Sequence, residues 1–517
     1  MDKEELYVVG IGASAGGLDA IEKFFNHMPS DPGMAFVIIQ HLSPDYKSLM
    51  NEILAKHTDM DIIQAKDNLQ VEANKIYLLP PKNNLKIFHG KLYLTPHQGQ
   101  RSLNLPIDIF FRSLAEDKKE KGIAVILSGT GSDGTRGIRH IKEFGGMVIV
   151  QDQNTAQFDG MPRSAIIAGM VDFILAPEQM GEAVVKYIKN PVFSQTNKKM
   201  IDDQEPFQKI FEMLKRYSGV DFSYYKKSTV YRRIEQRMGI NQLSSIGDYL
   251  EFLYDSANEV NILYKQLLIG VTRFFRDKEA YDILQKKVIP EMIKSHNEKE
   301  PLRLWVAGCS TGEEAYSLAF LLQDFFQTMG YNQDYKIFAT DIDKDAIEFA
   351  SQGVYPESIA EDVPFQYLKK YFRNTGGFFQ VNRDIREKLV FAPHNLIQNP
   401  PFNNMDFISC RNLLIYLQPM LQKKIFSFFS YSLKKYGFLF LGSSETIGDM
   451  DHYYKTISNR WKIYQLTNTD VKHSTFSNSF SLTRLSAKSS RNLQGGSSFS
   501  STPDDYVTLQ DYILQHF

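Results

Sequence analysis

The amino-acid sequence predicts an α/β fold class, with two doubly wound parallel-sheet domains joined through a small all-helical subdomain and a disordered Ser-rich tail. Three observations lead to this prediction. Apolar, strand-like runs alternate with helical patterns from residue 7 to about 190. The chain is then helical by pattern from about 206 to 297, and the alternation of strands and helices starts again at 302. Such alternation favours a parallel sheet, because each helix returns the chain to the edge where the next strand begins.

Changes in composition along the chain place the boundaries between these parts. Residues 190–205 and the stretch after Leu466 are polar, and the second is rich in Ser, Thr and Asn and poor in core-forming side chains. We expect an α/β domain over 1–189, a linker over 190–205, a helical subdomain over 206–297, a second α/β domain over 298–466, a disordered linker over 467–503 and a short C-terminal helix over 504–517.

Short apolar runs predict the strands of both sheets. Those of the first sheet are YVVGI (7–11), MAFVIIQ (34–40), KIYLLP (75–80), GIAVILSG (122–129), GMVIVQD (146–152) and DFILA (172–176). Those of the second are LRLWVAG (302–308), KIFATDI (336–342), KLVFAP (388–393), MDFISC (405–410) and FLFLGS (438–443). The segment at 91–111 interrupts the first alternation and is predicted as a loop.

Charge and cysteine content exclude several classes of function. The formal net charge is −1, which lacks the basic footprint of a nucleic-acid binder. Cys309 and Cys410 are far apart and neither has a CxxC partner, so we expect neither a disulfide framework nor a metal site. No apolar run reaches about 18 residues, and the N-terminus lacks the layout of a signal peptide. We expect a cytoplasmic protein without membrane insertion.

Three chemically capable residues follow predicted strands of the first domain. They are Ser14 in GASAGG, His41 in IIQHLSPD and Asp133 in LSGTGSDGTRG. In a parallel sheet these strand ends share one edge, where ligands bind. A serine becomes nucleophilic when a base takes its proton and a carboxylate orients that base. The sequence therefore indicates a Ser–His–Asp triad.

Two other interpretations compete for the glycine-rich turn around Ser14. The spacing of Gly10, Gly12 and Ala15 fits the dinucleotide fingerprint GxGxxA, but that site needs an acid after the second strand, where this chain has Gln40 and then His41. Serine is also a common helix cap. The coincidence of three suitable residues at strand ends favours the nucleophile.

The three motifs resemble the chemotaxis protein-glutamate methylesterase family (CheB type), and the likeness covers roughly residues 5–180. The resemblance implies hydrolysis of γ-glutamyl methyl esters with release of methanol, and deamidation of certain glutamines. It implies Ser14 as nucleophile, His41 as general base and Asp133 as the partner that orients the base. Backbone N–H groups near Ala15 and Gly16 would form the oxyanion hole. Well-known members begin with a receiver domain; here we expect that control to be absent or supplied by another protein.

The second α/β segment begins with a different pattern. LRLWVAGCSTGEEAYS predicts a strand, a turn with Gly308 and Gly312, and a helix, and the next strand ends at Asp341. A glycine turn followed by an acidic residue that binds ribose hydroxyls is typical of the Rossmann fold. This arrangement also suits a nucleoside without phosphate, such as S-adenosylmethionine. NPPF (399–402) is similar to a motif of amino-methylating DNA methyltransferases. It precedes a strand here, whereas in that family it follows one, so this alternative is remote.

Five ordered motifs closely resemble chemotaxis receptor glutamate methyltransferases (CheR type) from about 206 to 466. They are VTRFFRD (271–277), CSTGEEAYS (309–317), ATDID (339–343), HNL (394–396) and CRNLLIY (410–416). The resemblance implies a cofactor site made of Thr272, Arg276, Glu314, Asp341, Asn395, Leu396, Arg411 and Asn412. It also implies that Arg233 and Tyr416 position the acceptor carboxylate. Gly270 stands where the family often has asparagine.

These resemblances together imply one chain with two opposing activities. A glutamate acceptor, with a pKa of about 4.3, is already ionised at pH 7, so the methyltransferase needs alignment and exclusion of water more than a base. We expect chemoreceptors or a related signalling protein as substrate, and a separate receiver or kinase protein as a further partner. The alternative is a signalling scaffold that binds S-adenosylmethionine without turnover.

Overall fold

The computed structural model describes residues 6–40, 50–96, 104–189, 204–268, 270–296, 300–331 and 333–468. Three predictions fall outside these ranges: the general base His41, nearly all of the linker, and the tail beyond residue 468 with its C-terminal helix.

The strands are β1 (Val8–Ala13), β2 (Ala35–Gln40), β3 (Asp61–Gln64), β4 (Leu69–Gln70), β5 (Lys75–Leu78), β6 (Asn83–Phe88), β7 (Lys91–Pro96), β8 (Gly122–Ile126), β9 (Met147–Gln151), β10 (Phe173–Leu175), β11 (Leu302–Ala307), β12 (Tyr335–Asp341), β13 (Val354–Pro356), β14 (Phe372–Asn374), β15 (Phe378–Val381), β16 (Leu389–Pro393), β17 (Met405–Cys410), β18 (Leu433–Leu441), β19 (Tyr454–Ser458) and β20 (Ile463–Leu466).

The α-helices are α1 (Gly17–Asn26), α2 (Met50–Leu54), α3 (Pro106–Lys118), α4 (Thr135–Glu143), α5 (Gly160–Ile167), α6 (Pro177–Lys189), α7 (Gln204–Ser218), α8 (Lys227–Ile240), α9 (Ile246–Asp255), α10 (Ala257–Leu268), α11 (Lys278–Ile283), α12 (Ile289–Ser295), α13 (Glu313–Met329), α14 (Lys344–Gln352), α15 (Phe365–Tyr371), α16 (Arg383–Arg386) and α17 (Pro419–Ser432). A π-helical turn, Leu284–Val288, joins α11 to α12.

The first sheet has the strand order β10-β9-β8-β1-β2-β5-β3, and its neighbouring strands pair in parallel. The central strands β1 and β8 are buried along their whole length, because helices cover both faces. The predicted parallel sheet is therefore confirmed, and the carboxyl ends of β1, β2 and β8 lie along one edge.

The prediction of a loop over residues 91–111 is wrong. Residues of β6 and β7 form an antiparallel hairpin through His89 and Gly90, both with positive φ, and α3 begins at Pro106. The signal was present in the alternation of KLYLT, since Leu92 is buried and its neighbours are more exposed.

The second sheet has the order β16-β12-β11-β17-β18-β20-β19. Its strands pair in parallel from β16 to β18, and the edge strands β20 and β19 are antiparallel. Alternate residues of β11 serve its two faces: Leu302 and Leu304 share a core with α11 and α12, whereas Trp305 shares one with α7 to α10. Residues 278–295, predicted as part of the helical subdomain, thus pack with the α/β core.

Helix α4 lies between the two α/β domains. Its residues Ile138 and Ile141 are buried in the core of the first domain. Arg136 and Arg139, one helical turn apart, contact acidic residues of the second domain. One short helix thus belongs to the first domain by its apolar face and contacts the second by its charged face.

Candidate active sites

The turn after β1 presents Ser14 at the edge of the first sheet. The Ser14 N–H donates to the Ser128 carbonyl at 3.0 Å, which ties the turn to the loop after β8. Gly16 has φ +68°, and a Cβ there would approach the Gln157 side chain at 2.7 Å. Only glycine fits this left-handed, crowded position. The turn holds Ser14 partly exposed, directly before α1.

The backbone next to Ser14 has unused hydrogen-bond donors. Within the described ranges, the N–H groups of Ala15 and Gly16 donate to no protein acceptor. Paired donors beside a nucleophile are what a developing oxyanion requires. This geometry agrees with the predicted oxyanion hole, which stays a prediction.

Asp133 lies in the loop between β8 and α4 and is buried, with 3% of its surface exposed. Its Oδ2 accepts the Ile107 N–H at 3.0 Å and its Oδ1 accepts the Asp108 N–H at 2.9 Å. The start of α3 therefore fixes the carboxylate through both oxygens. The predicted partner His41 lies outside the described residues.

Asp108 is a buried acid that the sequence analysis did not single out. Its Oδ1 accepts the Gly137 N–H at 2.6 Å, and its Oδ2 has no hydrogen-bond partner in the described structure. Burial, followed by the nearby Asp133 carboxylate, raises the pKa of Asp108 well above its usual range. No pattern in IDIFF distinguished this residue from a helix-start aspartate.

The predicted cofactor residues of the second domain surround a single pocket. Its lining includes all eight of them: Thr272, Arg276, Glu314, Asp341, Asn395, Leu396, Arg411 and Asn412. They come from the ends of β12, β16 and β17, the start of α13 and the segment before α11. The ligand site of a doubly wound sheet lies at these carboxyl ends. Tyr416 also lines the pocket.

Asp341 connects the glycine turn to the end of β12. Its Oδ2 accepts the Ser310 N–H at 2.7 Å, and its Oδ1 accepts the Asp343 N–H at 3.0 Å. Burial raises its pKa, and these hydrogen bonds lower it in part. The remaining lone pairs face the pocket, which suits the two hydroxyls of a ribose.

Glu314 and Arg411 bind each other as well as line the pocket. Arg411 Nη1 donates to Glu314 Oε2 at 3.0 Å, and Nη2 donates to Asp277 at 2.6 Å. The guanidinium lies 4.4 Å from the Phe440 ring centre, and its Nε has no partner among the described residues. The ion pair fixes one wall of the pocket. Part of the hydrogen-bonding capacity of Glu314 and Arg411 is therefore used within the protein.

Glu445 is a second acid missed by the sequence analysis. Its carboxylate accepts backbone N–H groups of Asn412, Leu414, Ile415 and Gly442 at 2.7–3.3 Å. The loop that carries Asn412 to Tyr416 is therefore wound around a buried carboxylate. GSSET (442–446) gave no signal for this role, because the contact joins segments about 30 residues apart.

The unusual Gly270 has a local explanation. A Cβ at this position would lie 2.9 Å from the Ser310 Oγ, which itself donates to the Gly270 carbonyl at 2.9 Å. The Ser310 hydroxyl thus fills the space beside residue 270. The pocket is lined by the Gly270 backbone and by Ser310 together.

Arg276 reaches across the domain boundary. Its Nη1 donates to the Val271 carbonyl at 3.1 Å, and its Nη2 donates to the carboxylate of Glu143, the last residue of α4, at 3.0 Å. Burial first, and then the charge of Glu143, raise the pKa of Tyr416. Glu143 therefore contacts Arg276 and lies close enough to Tyr416, a predicted acceptor-positioning residue, to influence its pKa.

Arg233 does not line the cofactor pocket. It is 2% exposed, and its Nη2 donates to the Lys142 carbonyl of the first domain at 3.1 Å. Burial and the neighbouring Arg232 lower its pKa to about 10. In this arrangement of the domains, Arg233 contacts the first domain where we expected an acceptor carboxylate.

The described residues contain neither a candidate membrane-spanning helix nor a candidate metal site. No helix there is long and apolar enough to cross a bilayer. No group of three or more His, Cys, Asp or Glu side chains is arranged to hold a metal ion. The thiols of Cys309 and Cys410 are free and buried, and burial raises their pKa well above the usual range.

Family comparisons divide the chain as its fold does. The CheB methylesterase model matches residues 9–184. The all-alpha domain of CheR methyltransferase matches 205–268, and the CheR methyltransferase SAM binding domain matches 270–463.

Individual relatives cover different shares of the chain. A chemotaxis protein methyltransferase of Listeria innocua is 31% identical over 262 residues, which are 50% of this chain and 98% of the relative. An uncharacterized 104.1 kDa protein of Rhodobacter capsulatus is 39% identical over 80% of this chain, and the chain spans about half (46%) of its length. The CheB methylesterase catalytic domain of Thermotoga maritima is 30% identical over 35% of this chain and 98% of that structure, with a TM-score of 0.33.

Proposed function

Because the chain belongs to the CheB methylesterase family over residues 9–184 and to the CheR methyltransferase family over 205–268 and 270–463, we propose that it sets the carboxyl methylation of chemoreceptor glutamates in both directions. It carries a methylesterase domain and an S-adenosylmethionine-dependent methyltransferase domain. We also propose that it acts in the cytoplasm, where a separate receiver or kinase protein biases the two activities.

In the methylesterase domain, Ser14 attacks the γ-methyl ester carbonyl while His41 takes its proton. Asp133, fixed through both oxygens by the start of α3, orients His41. The free N–H groups of Ala15 and Gly16 stabilise the oxyanion. Methanol leaves after His41 returns the proton, and water then releases the glutamate from Ser14. Deamidation of a glutamine follows the same course with ammonia as the leaving group.

In the methyltransferase domain, the pocket residues bind and orient. Asp341 accepts hydrogen bonds from hydroxyls, and the loop held by Glu445 places Asn412 and Tyr416 on the opposite wall. S-adenosylmethionine, when bound, supplies an electrophilic methyl group on a sulfonium. We propose that Arg276, expected as a cofactor residue, holds the acceptor carboxylate together with Tyr416 in place of Arg233. This carboxylate needs no base because it is already ionised. The protein contributes alignment and exclusion of water.

One observation carries the methyltransferase proposal: eight residues chosen from five separate motifs line one pocket at the carboxyl ends of a doubly wound sheet. Residues spread over 140 positions (272 to 412) converge there. A structural role for each motif alone would not bring them together.

Methyl-labelled S-adenosylmethionine and receptor-containing membranes test both activities in the full chain. We expect label on membrane protein and release of volatile methanol. Asp341→Ala should abolish loading, whereas Ser14→Ala should let label accumulate and lower methanol release by about three orders of magnitude or more. The control is Asp345→Asn, an exposed carboxylate two residues beyond Asp343 that pairs with Lys265.

Two results would contradict the proposal. If the native chain binds S-adenosylmethionine but labels no membrane protein, the scaffold alternative is correct or the substrate is another protein. If Ser14→Ala releases methanol at the native rate, the triad is not the esterase.

A further inference from the structure

We propose that Glu143 is an internal occupant of the acceptor-carboxylate site, so that the methylesterase domain excludes the receptor from the methyltransferase while the two domains are docked. The inference deepens the proposed function and rests on it, because the acceptor site is defined by that function. It concerns regulation, which a chain with two opposing activities needs.

The first step is the face of α4 that meets the second domain. Arg136, Arg139 and Glu143 recur at intervals of three and four residues, so they lie on one side of the helix. Arg136 pairs with Glu361 and Asp362 at 2.6 Å each, and Arg139 pairs with Glu313 at 3.1 Å. Arg136 and Arg139 therefore hold α4 against the second domain.

The second step is where the remaining charge of this face lies. Glu143 and Thr272 line the cleft between the domains, and Thr272 and Arg276 line both this cleft and the cofactor pocket. The Glu143 Oε1 is 3.0 Å from Arg276 Nη2. A glutamate side chain of this same protein therefore lies where the cleft between the domains meets the cofactor pocket. A glutamate acceptor has to enter at this place.

The third step is that Glu143 is placed against local preference. It ends α4, and an acidic side chain at a helix C-terminus is unfavourable because the helix dipole is negative there. Burial also disfavours its charge, yet the His140 hydrogen bond and Arg276 keep its pKa below the usual range. The Glu143 charge is unfavourable at the end of its own helix and is stabilised in part by Arg276 of the other domain. Such a charge indicates a role at the contact between Glu143 and Arg276.

The fourth step is that the same segment covers the other predicted acceptor residue. Arg233 donates to the Lys142 carbonyl, and Gln236, one turn later on α8, donates to the Gly146 carbonyl at 3.0 Å. Residues 142–146 thus occupy Arg233, the predicted acceptor-positioning residue of α8, and its neighbour Gln236. The unpaired Nε of Arg233, buried in the described structure, becomes available when the segment leaves.

These contacts imply a competition. A receptor glutamate and Glu143 need the same arginine, so receptor binding requires α4 to withdraw. Because Asp133 precedes α4 by two residues, the helix that closes the methyltransferase also borders the esterase triad. The closed arrangement therefore disfavours methylation, and the apparent affinity for receptor is reduced in proportion to the fraction of open molecules.

The test compares the native full chain with Glu143→Gln, which keeps the size of the side chain and removes its charge. We expect the receptor concentration for half-maximal methylation to fall by about fivefold, the scale of one partly exposed ion pair, while kcat and the KM for S-adenosylmethionine stay unchanged. Glu116→Gln is the matched control, since Glu116 lines the same cleft but pairs with Arg112 of its own helix.

A second measurement does not depend on the receptor. Phenylglyoxal modifies accessible arginines, and peptide mass spectrometry reports its rate at Arg276. At equal cofactor content we expect faster modification in Glu143→Gln than in the native chain and in Glu116→Gln. Equal rates at Arg276 in all three chains would overturn the inference.

The two measurements separate the possible failures. If no chain labels membranes, the proposed function fails and the reactivity of Arg276 alone decides whether Glu143 covers this arginine. If the native chain labels membranes and Glu143→Gln has the same KM for receptor, Glu143 does not compete and the inference is wrong. Self-labelling at Glu143 in receptor-free protein would support it, because only an occupant of the acceptor site receives the methyl group.

Discussion

At the scale of single residues, the neighbouring carboxylates of Asp108 and Asp133 have different hydrogen-bond environments. Asp133 accepts two backbone N–H groups, whereas Asp108 accepts one and has an oxygen without a partner in the described structure. Burial and the nearby Asp133 carboxylate raise the pKa of Asp108 well above its usual range. The difference arises from where the backbone of α3 points its first N–H groups.

Replacing Asp108 by asparagine should flatten the pH dependence of stability. The raised pKa of Asp108 means that the folded state binds more protons than the unfolded state, so native stability falls as pH rises from about 4 towards that raised value, by at most about 1.4 kcal/mol per pH unit. Asp108→Asn lacks this loss. Its thermal midpoint relative to native protein should therefore be higher at pH 8 than at pH 5.

The control for this prediction is Asp108→Ala. Alanine leaves the Gly137 N–H without its acceptor and should lower the midpoint at both pH values. An Asp108→Asn midpoint that follows the native one at every pH would show that Asp108 ionises without cost.

At the scale of elements, α3 and α4 cross at close range. Gly137 faces Phe111, and a Cβ built on Gly137 would lie 2.5 Å from the Phe111 Cβ. The crossing sets the position of α4 and, through the preceding loop, of Asp133. A small residue at this crossing thus positions both Asp133, the predicted triad acid, and the helix that faces the second domain.

We expect Gly137→Ala to separate α3 from α4. Overpacking of this kind costs about 1–3 kcal/mol, whereas glycine to alanine in an unhindered helix stabilises by about 0.5–1 kcal/mol. Gly247→Ala in α9 is the control, because the only atom near its added Cβ is Ser245 Oγ at 3.7 Å. Amide hydrogen exchange should rise in α3 and α4 for Gly137→Ala and stay unchanged or fall in α9 for the control.

At the scale of the whole molecule, the two domains meet through charges. Arg136, Arg139 and Arg276 each contact an acid of the other domain, with side chains that are 13–22% exposed. Apolar contact is smaller, although Ile240 of α8 packs with the core of the first domain. A partly solvated, ionic interface suits domains that separate and dock again.

Reversing one interface charge should open the molecule. Arg136→Glu faces Glu361 and Asp362, and such like-charge contacts cost several kcal/mol, of order 2–4. We expect a larger radius of gyration by small-angle scattering, and the same change in native protein near 1 M salt, where the Debye length is about 3 Å.

Two variants make this outcome specific. Arg136→Glu combined with Glu361→Arg should restore much of the compact form. Arg383→Glu, at an arginine whose side chain is 82% exposed and pairs with the nearby Glu387, should leave the radius unchanged. A compact Arg136→Glu protein would show that these ion pairs do not hold the domains together.

The sequence by itself determined the fold class and predicted eight residues that line one pocket of the second domain. Its apolar runs alternate with helices, and Asp341, Glu314 and Asn412 each belong to short motifs at strand ends, where a parallel sheet gathers them by topology. These features depend on local order along the chain, which periodicity and turn residues express directly.

Only the tertiary structure decided the contacts between distant segments. Glu445 holds a loop about 30 residues earlier in the chain, and the Asp133 carboxylate helps to raise the pKa of Asp108. Glu143 forms an ion pair with Arg276 in another domain. Arg233, expected beside an acceptor, instead contacts the first domain. The physical reason is that burial, pKa and ion pairing depend on the three-dimensional surroundings of a side chain, which residues near it in sequence do not specify.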